Sequence, residues 1–497
     1  MIKSDPKRPD WFQWWNPPPE WCQAHAEVPG LQWNGDGTRM LVVNLHRSHL
    51  ALVPLGLGAV AVEVARSVNL PAGITLRPYQ AEDIPWLAAR RGSLLAYQMR
   101  LGKTLASCAV HNPRDGMLVV VGPLASRDVW RTWIERVHGF PPIILQGRDD
   151  ITPQPGYPAY FVHYEILEAH MAFFGNQKVG TLILDEIHLL QSRKARRTQA
   201  CSFLSTRADR IIGLSGTPMW SRPDSFYPIL HLIAPGAWGT HFSYAKRYAN
   251  AQPGAHGWDY SGVSNADELS ARLKDIMLRR TWAEVAPDLP PTEIVIEPVE
   301  VSIKQRAEVE AAAVRAMLAR GTTTTTAGYL ATLRRKLAAL KVEAAVAAAE
   351  RGMQDGHKVV VWVWHNEVGE QIAGALTKKA IVYRLRAEDS ANVREAQVAA
   401  FHAHVGPAVM VVGIAVGGTA IDLSCSDYAV FAEFDWMPAN MQQALMRTFS
   451  PARPHVVILL YADVDVERKL VDALGVKEGF ASAVGLGFEE IAKAVLG

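Results

Sequence analysis

Cysteine is scarce in this chain. Its 497 residues hold four, Cys22, Cys108, Cys201 and Cys425, scattered with no CxxC pair and no histidine at metal-ligand spacing. That pattern argues against a disulfide framework and against a zinc site, and for a reducing compartment. Missing too is any uninterrupted apolar run of membrane-spanning length, and Met1 to Pro6 carries no apolar leader segment. The expectation is a cytoplasmic protein with no membrane partner. Net charge is nearly absent at +2, so a polyanion has to be gripped by local patches rather than by a broadly basic surface. The balance is uneven: zero over 1–72, +6 over 73–350 and −4 over 351–497.

What is present suits a large globular protein. An apolar fraction of 49% with 20% charged residues leaves ample material for a core, and the length predicts three or four domains. Residues 1–72 read as a separate small α+β domain. Five of the 15 tryptophans (Trp11, Trp14, Trp15, Trp21, Trp33) fall in its first 33 residues, unlike a disordered tail. Strands are expected at Leu41–Leu45 and Leu50–Leu55, a strand or helix at 59–66, and a boundary at Pro71-Ala72-Gly73. Over 73–291, apolar runs at 94–97, 117–121, 143–145, 159–163, 181–185 and 210–214 alternate with amphipathic stretches, the pattern of a parallel sheet with helices on both faces. Residues 292–350 read as a helical linker, with helices at 303–320 and 329–351 separated by an exposed loop of Gly321 and Thr322–Thr326. Over 351–497 the alternation returns at Val359–Trp364, Ala380–Val382, Val409–Val412, Tyr428–Phe431 and Val456–Tyr461. The predicted fold is α/β, two parallel-sheet lobes joined by a helical segment and facing each other across a cleft.

Two stretches carry chemistry. Leu94 to Thr104 is an apolar strand followed by Met99-Arg100-Leu101-Gly102-Lys103-Thr104 at a helix start. An ammonium there is disfavoured against the helix dipole unless an anion is present. Lys103 is therefore expected on nucleotide phosphates and Thr104 on Mg²⁺. Tyr97 and Arg100 stand where the strict G-x-x-x-x-G-K-[ST] loop has, or commonly has, glycine, which lowers the loop's freedom to reach positive φ. Leu182 to His188 is the second stretch, an apolar strand ending in Asp185 and Glu186. A capping pair before a helix over 188–200 is the structural alternative. With Lys103 upstream, the better account is Asp185 on Mg²⁺ and Glu186 orienting the attacking water, since phosphoryl transfer mainly needs positioned charge. His188 is expected to couple this site to Ser215, Gly216 and Thr217. The basic runs Arg193, Lys194, Arg196, Arg197 and Arg334, Arg335, Lys336 are candidate phosphate contacts for a nucleic acid.

In this order the residues resemble the SNF2 group of superfamily 2 DNA translocases. Leu76–Gln80, Val119–Pro123 with Trp130, Val162–Leu167, Asp185–His188, Leu214–Pro218 and Phe226–Pro235 are similar to successive motifs. Met277–Arg280 with Asp288–Pro291 is the element that plain helicases lack. Lys358–Trp364, Arg394–Phe401, Gly417–Leu423 and Trp436 to Arg447 look like the later motifs, so the resemblance spans about residues 74–460. It implies two RecA-like lobes binding ATP and Mg²⁺ between them and moving along double-stranded or forked DNA. It further implies base-side contacts from Arg77 and Gln80, and a phosphate loop of Met99, Arg100, Leu101 and Gly102. From the second lobe it implies Gly418 at the nucleotide, Gly417 and Trp436 on DNA, Gln443 in coupling and Arg447 as the finger. The family's second arginine is replaced by Ser450, and Arg453, three further along, is expected to supply that charge. The lack of large insertions favours a minimal bacterial or phage motor, nucleoid-associated or in host cytoplasm, acting as a monomer. Residues 19–45 resemble the recognition domain of SMARCAL-type annealing helicases, for which tryptophans could stack on bases at a junction. A strand-separating helicase and a nucleotide-gated DNA-binding scaffold are the competing readings.

Overall fold

The computed structural model describes residues 70–474, apart from breaks at 150–157, 217–222, 255–256, 287, 289, 291, 319–322 and 418–420. Before residue 70 it describes four short strands, β1 (Ile2–Asp5), β2 (Arg8–Trp15), β3 (Leu31–Trp33) and β4 (Arg39–Val42), paired antiparallel in the order β1-β2-β4-β3. The strand expected at Leu41–Leu45 overlaps β4; those expected at Leu50–Leu55 and 59–66 lie outside the described residues.

The first lobe is a seven-stranded sheet. Its strands are β5 (Gly92–Tyr97), β6 (Met117–Gly122), β7 (Ile143–Leu145), β8 (Ala159–His163), β9 (Val179–Leu184), β10 (Ala208–Leu214) and β13 (Met277–Arg280). They pair in the order β13-β5-β10-β9-β6-β8-β7, every pair parallel. All six expected strands are present, because a strand covered on both faces is largely apolar: β5, β6 and β9 are buried end to end. A small antiparallel hairpin, β11 (Gln252–Gly254) with β12 (Gly257–Asp259), leaves the sheet before β13.

The second lobe comprises β14 (Thr292–Val299), β15 (Lys358–Val363), β16 (Val382–Leu385), β17 (Ala408–Gly413), β18 (Tyr428–Phe431) and β19 (His455–Ala462). Their order is β14-β19-β18-β15-β17-β16, again all parallel. The segment drawn from sequence as a linker therefore starts with a strand of this sheet: β14 pairs along its full length with β19. None of its residues is fully buried, as suits an edge strand, and its apolar run is confined to Ile294–Ile296 between Glu293 and Glu297, a weak signal in the sequence.

The helices that follow also belong to this lobe. Helices Ile303–Leu318 and Thr323–Leu340 bury Val309, Ala312, Ala316, Leu330, Leu333 and Leu337 in one cluster with Trp362 and Phe431. The threonine run expected to loop out instead begins the second of them. Packing of the downstream apolar stripe outweighs the weak helix preference of threonine. The stretch 329–351 is broken at Lys341, after which helix Val342–Gln354 covers the other face of the sheet.

Candidate nucleotide site between the lobes

Three neighbouring strands of the first lobe, β5, β10 and β9, end side by side, and each delivers part of one cluster. After β5 comes the loop to helix Lys103–Val110; after β10, Ser215 and Gly216; after β9, Asp185 and Glu186. Binding sites in parallel sheets form at these carboxyl ends.

The loop is held from behind. Gly102 has φ 80°, a conformation that favours glycine, and a Cβ there would come within 2.4 Å of Gln80 Nε2 and displace that amide. Gln80 donates to the carbonyls of Leu101 (3.1 Å) and Gly102 (3.3 Å), and the Tyr79 hydroxyl donates to Leu101 O at 2.7 Å. The expected base-side residue Gln80 thus spends its amide on the loop. Arg77 lies over the Trp282 ring at 5.5 Å, in a pocket of about 680 Å³ that Tyr79, Arg280 and Pro451 also line. Arg100 adopts φ 65°, a left-handed conformation costing an arginine roughly 1–2 kcal/mol that a glycine would not incur.

Lys103 donates to the Tyr97 carbonyl at 3.0 Å, and a Cβ on Gly216 would lie 3.4 Å from its Nζ. Burial lowers its pKa, opposed by the carboxylates of Glu186 and Asp185. Thr104 sits in the first turn of the helix, half-buried. Asp185 is gripped by Trp130, whose indole N–H donates to Oδ2 at 2.8 Å, while the Tyr164 hydroxyl donates to its main-chain carbonyl at 2.7 Å. Burial raises the Asp185 pKa and Glu186 adds to the rise; Trp130, Ser126 and Lys103 oppose it. Glu186 stands at φ 49°, a left-handed position that turns the chain sharply after β9. Burial alone would raise its pKa, but a hydrogen bond from His188 and the charges of Lys103 and Arg447 hold it below the ordinary value. His188 Nδ1 lies 3.3 Å from Glu186 Oε2 and 3.5 Å from Ser215 Oγ, so one ring touches the ends of two adjacent strands. The expected helix over 188–200 is a short turn, Ile187–Leu190, followed by helix Arg196–Arg207.

The second lobe contributes helix Pro438–Thr448, with Gln443 one turn before Arg447 on the same side. Arg447 lies close enough to Glu186 and Asp185 for each carboxylate to raise its pKa against the lowering by burial. Lys103 and Arg447 therefore approach one carboxylate pair from opposite lobes. Arg453 does not join them. Its guanidinium donates to Ser424 O and lies 3.9 Å from Asp427, so the charge expected in place of Ser450 is turned to another part of its lobe.

Several expected nucleic-acid contacts are redirected by packing. Arg334 stacks over Trp364 (4.2 Å) and Trp436 (5.6 Å) and donates to Phe434 O, and Trp436 is 1% exposed; both serve the core of the second lobe. Arg197 donates to Leu189 O and Glu165, Arg196 pairs with Glu168, Arg335 with Glu367 and Lys336 with Glu308. Arg193 and Lys194 are exposed, and Gly417 ends the short helix Ile414–Gly417. Thr217 and Gly418 lie outside the described residues.

Other residues shape the site without an obvious sequence signal. Asp83 is buried, accepts from the Tyr97 hydroxyl at 2.8 Å and forms a two-pronged ion pair with Arg280, tying β13 to β5 just before the loop. Trp130 and Tyr164 lay inside stretches that the sequence pattern singled out, but their bonds to Asp185 were not legible from spacing.

Comparison with known proteins agrees with this architecture. The profile of the SNF2-related domain matches residues 59–341, and that of the helicase conserved C-terminal domain residues 339–451. A SWI/SNF-related matrix-associated actin-dependent regulator of chromatin subfamily A-like protein 1 of Xenopus laevis is 30% identical over 387 residues, 74% of this chain and 40% of that protein. The DNA annealing helicase and endonuclease ZRANB3 of Mus musculus is 27% identical, covering 74% of this chain and 37% of its own length. The chain thus spans about 40% of the length of these relatives. Among solved structures, a Sulfolobus solfataricus SWI2/SNF2 ATPase core in complex with dsDNA aligns with TM-score 0.41 and 21% identity, over 84% of this chain and 95% of that one.

Proposed function

We propose that this chain, which belongs to the SNF2-related family of helicase-type ATPases, is an ATP-driven translocase on double-stranded DNA. The observation that supports this most is the meeting of Lys103 and Arg447, from different lobes, at the carboxylates of Asp185 and Glu186. The two cations and two carboxylates offset one another there, and a triphosphate entering with Mg²⁺ would re-pair them, its phosphates with Lys103 and Arg447 and the metal with Asp185. Its effect would be to draw the lobes together, and its loss to release them.

The residues suit Mg²⁺ as well. Asp185 is a half-buried carboxylate whose desolvation favours protonation, an environment in which a dication is the natural counter-charge, and Thr104 offers its hydroxyl at the helix start. Bound there, Mg²⁺ would neutralise charge on the phosphates. Glu186, held ionised by His188, is suited to orient a water, and His188 would pass the state of that carboxylate to Ser215. Arg447 would stabilise charge building on the transferred phosphoryl group. Loss of such a finger costs on the order of 10³–10⁵ in turnover in related systems.

The DNA side of the reading comes from kinship: one relative is named a DNA annealing helicase. Remodelling of forks or displacement of bound proteins is the expected outcome of movement. ATP hydrolysis measured without nucleic acid, and with single strands, duplex, forked DNA and RNA, tests it. Stimulation by duplex or fork that Lys103→Ala abolishes is the expected result. Stimulation by single strands with unwinding would replace it with a strand-separating helicase, and no stimulation by any polymer with a nucleotide-gated scaffold.

A further inference from the structure

Arg100 stands inside the phosphate loop, yet its guanidinium leaves the first lobe. Nη1 donates to the main-chain carbonyl of Phe449 at 2.7 Å. Nη2 donates to Asp422 Oδ1 at 2.6 Å and to the carbonyl of Arg447 at 2.5 Å. The side chain keeps 23% of its exposure. On the far side of the same segment, the Phe449 ring packs 5.3 Å from Trp282, whose indole N–H donates to Met99 O at 3.0 Å. Phe449 and Met446 are buried in a cluster otherwise built from the first lobe. Loop residues 99 and 100 therefore hold the end of helix Pro438–Thr448 from two sides, one polar and one aromatic.

We propose that Arg100 is an interlobe positioning residue: it fixes the end of the helix that carries Arg447, and so sets where that guanidinium stands against Glu186 and Lys103. The inference rests on the functional reading above and assigns Arg100 away from the phosphates. The chemistry suits the task. The last carbonyls of a helix lack intrahelical partners and carry partial negative charge, and a planar guanidinium can serve two of them and a carboxylate together. An ammonium presents one point charge and cannot span that set. The carbonyl of Arg447 also accepts from Leu423 N–H at 3.1 Å, so the grip extends to the segment bearing Asp422. The left-handed backbone of Arg100 aims the side chain outward from the loop. In that geometry the loop and the finger move as one body, and distortion of the loop reaches Arg447 directly.

Arg100→Gly tests this, since glycine takes that backbone conformation without strain and leaves the fold intact. In the full chain with duplex DNA, kcat should fall about a hundredfold, the scale of a small misplacement of a catalytic group, while binding of a fluorescent ATP analogue stays within about threefold. Arg100→Lys should resemble the glycine variant. Asp422→Asn should cost less, and no additional loss should appear when it is combined with Arg100→Gly. Small-angle X-ray scattering of the nucleotide-free chain should show wider lobe separation in Arg100→Gly. Weakened nucleotide binding with kcat unchanged would make Arg100 a phosphate ligand and overturn the proposal, as would unchanged turnover with unchanged scattering. Failure of the wild-type chain to hydrolyse ATP would instead remove the functional reading, and the scattering comparison would still judge the clasp.

Discussion

Among the described residues, Lys341 is buried and Lys103 half-buried beside carboxylates, and the two sites are built differently. In the second lobe Lys341 and Glu467, each 2% exposed, form a direct ion pair, and the second Glu467 oxygen accepts from the backbone N–H of Ala462. The Lys341 ammonium also lies 4.8 Å from the Phe434 ring. Every charge there has its partner inside the fold. In the first lobe Lys103 gives its hydrogen bond to a main-chain carbonyl, while Asp185 and Glu186 are held by Trp130 and His188 and approached by Arg447. The first arrangement is closed and can only hold helices to a sheet. The second keeps like charges together by outside supports, which costs stability and makes sense where a ligand completes the balance. Burial of charge alone does not mark a functional site; the way its partners are supplied does.

Substitutions can break that contrast. Lys103→Ala carries the largest expected effect, a loss of about a thousandfold or more in duplex-stimulated hydrolysis, the scale of lost transition-state charge stabilisation, with a thermal midpoint near that of wild type. A large fall in the midpoint would show Lys103 to be a structural ion like Lys341. Lys341→Ala is the converse. It should destabilise the second lobe by about 3–5 kcal/mol, read by denaturant unfolding, because Glu467 is left buried and uncompensated. Replacing both, Lys341→Met with Glu467→Leu, should recover most of that loss. Arg453→Ala should lower turnover less than about threefold, since its guanidinium is engaged by Ser424 and Asp427; this is the scale of an exposed polar contact. A loss matching that of Arg447→Ala would restore the role expected of it from sequence.

Titration offers the smallest and sharpest contrast, because the two glutamates shift in opposite directions. Burial holds the Glu467 pKa above its ordinary 4.5 despite Lys341, so its contribution to stability is fullest below about pH 4.5 and is lost as pH rises through the folded value. Glu186 is held below 4.5, so its contribution is present above that pH and lost as pH falls through the folded value. Relative to wild type, Glu467→Gln should therefore gain stability as pH is raised from 4 to 7, and Glu186→Gln should lose it. Parallel pH dependences in the two variants would remove the distinction.

Much of this was legible from residues alone. Strands of a doubly covered parallel sheet are largely apolar, so β5, β6, β9 and β15 announced themselves, and the loop and carboxylate pair followed from what ends those strands. What escaped depends on tertiary context. β14 is an edge strand whose short apolar run is flanked by glutamates, and Thr323–Thr326 join a helix because Leu330, Leu333 and Leu337 bury downstream. Arg334 read as a nucleic-acid contact from a basic run, and Trp436 from the resemblance, because neither signal distinguishes an arginine beside DNA from one stacked on two tryptophans. Arg100 looked like a defect in a glycine-rich loop, and only the position of the second lobe gives its side chain a destination.

The central claim is that hydrolysis happens between the lobes and needs a cation from each. Duplex-stimulated turnover of Arg447→Ala, measured at a nucleotide concentration that saturates binding, tests this most directly. The account predicts that the variant still binds nucleotide but turns over on the order of 10³-fold or more slowly. Turnover near that of wild type would mean that the second lobe takes no part in the chemistry, and would contradict it.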